Sequence, residues 1–108
     1  MREGLEKLLV AGKDNALLRF GLGNACMGEG DLEAAREHFS KAVEMNPRYT
    51  AAWKLLGRVL VNLGQFTQAQ HVLEQGLVIA QEQGDKQAEK EMQVFLKRAV
   101  KGQGPATQ

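Results

Sequence analysis

Apolar residues return along the chain at helical intervals, as in Leu18, Leu22, Ala25 and Cys26 and again in Leu55, Leu56, Val59 and Leu60, with no sustained period-two run. This pattern predicts helices and no sheet. The punctuation agrees with it: Gly28-Glu29-Gly30-Asp31 interrupts the first long stretch, Asn46-Pro47 the second, Gly64-Gln65 the third and Gly84-Asp85 the fourth. Asp31 and Asp85 each follow a glycine able to close the preceding helix and stand where an N-cap carboxylate would accept bonds from orphan backbone N–H groups. The predicted segments pair as about 15–28 with 31–45, and about 47–63 with 66–83.

The two pairs repeat each other. Thirty-four residues separate Leu22-Gly23 from Leu56-Gly57, Gly30 from Gly64, Ala35 from Ala69, and Phe39 from Leu73. A constant period of this size marks an array of helix pairs, each burying its apolar face against its neighbours. Carried backwards, the register places Leu5 over Phe39, Leu8 over Ala42 and Leu9 over Val43, so residues 2–12 read as the second helix of a truncated unit. Carried forwards, it makes 85–101 the first helix of another. That helix has Met92, Phe95, Leu96 and Ala99 on one face and Lys90, Gln93, Lys97 and Arg98 on the other, as a capping helix should. Residues 102–108 hold Gly, Gln and Pro without a large apolar group, and disorder is expected there.

These residues resemble the tetratricopeptide repeats, through Trp53-Lys54-Leu55-Leu56-Gly57 followed by Leu60, Gly64, Ala69 and Leu73 in one unit. The preceding unit supplies Leu22-Gly23, Cys26, Gly30, Ala35, Phe39, Ala42 and Pro47. The resemblance implies an all-α fold of antiparallel helix-turn-helix repeats in a right-handed superhelix. It spans a single domain over 1–101, with full repeats at about 16–49 and 50–83 flanked by half repeats, and a capping helix over 85–101. Three positions depart from the family: Arg19 stands at the tryptophan place of the first unit, while Gly76 and Gln81 replace an alanine and a proline in the second. Gln87 and Glu91 occupy the Trp and Gly places of the last helix.

Charge narrows the functional classes. Fourteen basic and thirteen acidic residues leave a formal charge of +1, which offers no bulk field to nucleic acid or to an anionic membrane. The N-terminus has acids where a secretory signal would be basic, and no apolar run reaches the roughly 18 residues that a spanning helix needs, so a cytoplasmic protein is expected. Cys26 is the single cysteine, which rules out an intrachain disulfide.

No catalytic, cofactor-binding or metal site emerges. The run Gly21-Leu22-Gly23-Asn24-Ala25-Cys26 has the wrong spacing for a phosphate cradle and no strand before it. His38 and His71 are expected on the solvated outer face, and Ser40 lacks a histidine at helical spacing. An enzyme is not expected.

The face that could recognise a partner belongs to the first helix of each pair, which lines a concave groove in proteins of this kind. Leu17, Phe20, Asn24 and Met27 fall there from the first unit, and Ala51, Lys54, Arg58, Val61 and Asn62 from the second. Lys54, Arg58 and Asn62 recur every four residues, which stacks their donors on one face. Two such cations repel each other, so a bound carboxylate would relieve them, with Phe20 and Met27 as an apolar neighbour. In chaperone-binding members of the family a lysine and an asparagine one turn apart grip a partner's C-terminal carboxylates. Asn24 occupies that asparagine's place, but Phe20 occupies the lysine's, and Asp85 and Glu89 meet the later basic positions with the opposite sign. The expected partner is therefore a protein contributing an acidic or amphipathic peptide, docked at Phe20, Asn24, Met27, Lys54, Arg58 and Asn62. The alternative is a homodimer or structural subunit formed through the terminal helices, with Leu5, Leu8 and Leu9 at one end and Val94, Phe95 and Val100 at the other.

Overall fold

The structure, a computed structural model, describes residues 1–105 and contains six helices: α1 Arg2–Val10, α2 Ala16–Gly28, α3 Leu32–Met45, α4 Thr50–Asn62, α5 Phe66–Gln83 and α6 Lys86–Gly102. No strand occurs among the described residues. Consecutive helices pack on one another, and α4 also packs directly on α6, so the molecule extends to 51 × 29 × 20 Å. The chain is an all-α array of helix-turn-helix repeats.

Helix boundaries follow from local chemistry. The side chains of Asn15, Asp31 and Asp85 accept from the N–H groups of Leu18, Ala34 and Ala88, capping α2, α3 and α6. Gly30, Gly64 and Gly84 close α2, α4 and α5 with φ of 80, 76 and 68°. The residue after each glycine donates back across the last turn at 2.9 Å, Asp31 to Cys26 O, Gln65 to Leu60 O and Asp85 to Ala80 O, so the same closure ends the first helix of each repeat and the second helix of the second. Helix α4 begins at Thr50, later than the sequence pattern suggested, because residues 46–49 form a turn: Tyr49 donates to Asn46 O at 3.0 Å and Arg48 to the Asn46 side chain at 3.2 Å.

The core runs the length of the array and includes Leu22, Cys26, Phe39, Val59, Leu73 and Met92, all without solvent exposure beyond a trace. Small residues let the helices close on it. A Cβ on Gly23 would stand 2.5 Å from the Phe39 ring, and one on Gly76 would stand 2.8 Å from Cβ of Trp53 and 2.7 Å from the sulfur of Met92. Gly76 is therefore matched to Trp53: the indole and the next helix fill the volume that an alanine takes elsewhere. Trp53 is fixed further by donating to Pro47 O at 2.7 Å.

Helix α6 ends the array by a change of residue type at repeat-equivalent positions. Ala52, Leu56, Val59 and Leu60 are buried, whereas Lys86, Lys90, Gln93 and Val94, each 34 residues later, are exposed. Lysines thus cover the face on which a further helix would pack. The helix extends one residue past the expected limit, to Gly102, which lies against the Phe66 ring. Gln103 donates to Gln70 at 2.6 Å. Of the segment for which disorder was expected, residues 106–108 lie outside the described residues.

Candidate functional site

The six residues expected to receive a partner come from α2 and α4. Phe20, Asn24 and Met27 occupy successive turns of α2 and are all half-buried. Phe20 and Met27 rest on the core cluster. The Phe20 ring packs on Phe39 at 5.7 Å and on Tyr49 at 4.8 Å between centroids, and Tyr49 immediately precedes α4. An aromatic platform thus joins the middle of α2 to the start of α4.

On α4 the three donors differ in their surroundings. Lys54 is half-buried and its Nζ lies 2.8 Å from Oε1 of Glu91, on α6. This pair holds the Glu91 carboxyl below the usual carboxylate range, chiefly through the hydrogen bond from Lys54. The expectation of two uncompensated cations is corrected here, because α6 itself brings a carboxylate to one of them. Arg58 and Asn62 are exposed and have no hydrogen-bond or ion-pair partner among the described residues. The residue missed in the sequence is Glu91, which looked like a departure from the glycine position and serves instead as the counter-ion of Lys54.

His38 is also corrected. It is half-buried, and its Nδ1 accepts from Nη1 of Arg19 at 3.2 Å. Arg19 in turn donates to both carboxylate oxygens of Asp14 at 2.8 and 2.9 Å. An arginine network therefore occupies the place of the tryptophan in the first repeat. Burial, followed by the Arg19 charge, lowers the His38 pKa from its ordinary 6.5. His71 is exposed and bonded to Gln75 at 3.0 Å. Cys26 is fully buried, and burial pushes its thiol pKa up, away from reactivity. No group of three or more His, Cys, Asp or Glu among the described residues could hold a metal.

Comparison with known proteins agrees with this architecture. A family profile described as tetratricopeptide repeat matches residues 27–90, and a second of the same description matches residues 2–50. The chain belongs to the tetratricopeptide-repeat family. A TPR repeat-containing protein of Pseudomonas aeruginosa is 54% identical over 98 residues, 91% of this chain and 93% of its own length. Among solved structures, a Bordetella parapertussis protein superposes with a TM-score of 0.78 at 42% identity, covering 93% of this chain and 87% of that one. A tetratricopeptide repeat domain protein of Salinibacter ruber gives a TM-score of 0.73 at 23% identity over 81% of this chain and 98% of its own, a likeness of fold. As a tetratricopeptide-repeat domain the chain is a protein-interaction module. No helix among the described residues is long and apolar enough to cross a membrane.

Proposed function

We propose that the domain docks a peptide segment of another protein along the free face of α2 and α4. The observation that carries this reading is the juxtaposition on α4 of Arg58 and Asn62, exposed and unpartnered among the described residues, next to Lys54, whose ammonium is held by Glu91 at 2.8 Å. A peptide carboxylate gains charge-assisted hydrogen bonds from Arg58 and an amide donor from Asn62 one turn on. Its apolar side chains gain the Phe20–Tyr49 platform and Met27, with Asn24 between them able to bond the peptide backbone. The Lys54–Glu91 pair sets the polarity of the site: Lys54 reaches a ligand carboxylate only by sharing its protons with Glu91, which leaves Arg58 as the principal cation.

With so few repeats the contact is small, and micromolar affinity, near −8 kcal/mol, is expected. The test is selection from a random peptide library followed by calorimetry on the selected peptides. Acidic or amphipathic sequences that bind wild type, lose at least tenfold with Arg58→Glu, and weaken with salt support the site. Peptides that bind the folded Arg58→Glu and Phe20→Ala variants as tightly as wild type would refute it.

A further inference from the structure

Helix α1 is the helix of the six that has no buried residue. Leu5 and Leu9 are half-buried, and Arg2 ties the helix to the turn between α2 and α3 through Glu29 and Asp31 at 3.0 and 3.1 Å. The opposite flank is bare: Met1 is 90% exposed and Leu8 46%, with exposed Gly4 and Ala11 completing the stripe. In α3, the repeat-equivalent helix, the positions matching Met1 and Leu8 are Ala35 and Ala42, both fully buried, while those matching Gly4 and Ala11 are the half-buried His38 and the exposed Met45. The Met1–Leu8 edge of the flank thus falls where the repeat packs a helix.

Gly4 points the same way. A glycine within a helix is a cost in backbone freedom that a close contact normally explains. Gly21, Gly23, Gly57 and Gly76 each lie against a side chain, whereas a Cβ on Gly4 would meet nothing within 4 Å. Gly28 shares that openness, but it is the last residue of α2.

We propose that α1 is the seam of an isologous dimer, packed antiparallel against α1 of a second copy. Met1, Gly4, Leu8 and Ala11 are spaced three, four and three residues apart, an order that reads the same in both directions. About a two-fold axis each large side chain meets a small one, Leu8 on Gly4 of the second copy and Met1 on its Ala11. The chain already uses this contact internally, Gly23 receiving Phe39 and Gly57 receiving Leu73. Glu3 and Lys7, exposed and without an ion-pair partner among the described residues, border the stripe. Antiparallel order brings Glu3 of one copy towards Lys7 of the other, and an in-register parallel pair would set like charges together. Leu17, 72% exposed, lines a cleft of about 390 Å³ with Leu5, Leu8 and Leu18 beside the stripe and widens the apolar area. The other end of the array carries Lys86, Lys90 and Lys97 on its outer face, which repel a second copy.

The seam is short, well under the roughly 1,200–2,000 Å² of stable complexes, so a dissociation constant on the order of 100 μM is expected. The test is sedimentation equilibrium of the full chain across a range that brackets that constant. Wild type should pass from monomer to dimer, Gly4→Lys should stay monomeric with an unlowered melting temperature, and Val94→Glu at the far end should associate like wild type. Open space at Gly4 means that the lysine variant folds, so its behaviour reports on the seam. A monomeric wild type at the highest concentration, growth beyond a dimer, or association in Gly4→Lys equal to wild type would overturn the proposal.

Discussion

Gly23 lies beneath Phe39 with so little room that an added Cβ would stand 2.5 Å from the ring, and one repeat later Gly57 lies beneath Leu73 in the same way. Both large residues are fully buried, so neither can turn aside into solvent. Gly57→Ala should therefore destabilise the fold by about 1–3 kcal/mol through overpacking, although alanine is the better helix former. Gly4→Ala, in open space, should stabilise the dilute monomer by about 0.5–1 kcal/mol. Urea titration of the two variants separates helix propensity from packing.

The burial of His38, with the Arg19 charge beside it, predicts an acid-side weakness near neutrality. The folded chain binds a proton at His38 less readily than the unfolded chain, whose histidine titrates at about 6.5. Stability is therefore full above that value, declines as pH falls through it, and levels once the folded ring is protonated too. His38→Gln should flatten this part of the stability profile, which thermal melts between roughly pH 5 and 8 would record.

Glu91 should titrate below its ordinary 4.5 because Lys54 bonds its charged form. The pair contributes stability above that value, which is lost as pH falls through the folded midpoint. In a carboxyl-detected NMR titration, Lys54→Met should return the Glu91 midpoint towards 4.5. An unmoved midpoint would show that the pair does not persist in solution.

Arg2 is the polar anchor of α1, shared among Glu6, Glu29 and Asp31 at 3.0–3.1 Å. Since α1 buries no residue fully, Arg2→Ala should release it locally. Hydrogen exchange should speed up in 2–10 at low protein concentration while the amides of α3 and α5 keep their protection.

Most of the architecture was legible because it rests on local rules repeated at a fixed distance. Asp31 and Asp85 cap helices as their places after glycines imply, and the small residues at 23, 35, 57 and 69 mark where helices touch. The candidate site was legible only on each helix taken singly, since Lys54, Arg58 and Asn62 share a face by spacing alone. That Lys54 already has a carboxylate was not, because Glu91 lies 37 residues away and the register of α6 on α4 sets the distance.

The sequence by itself determined the helices, their caps, the period and the faces that must be apolar, since backbone geometry converts residue spacing directly into sides of a helix. Only the tertiary structure decided which side chains meet across helices. It paired Lys54 with Glu91 and His38 with Arg19, justified Gly76 by the bulk of Trp53, and left Gly4 without a neighbour. Such contacts depend on the angle and offset of packed helices, and those are fixed by the whole core at once.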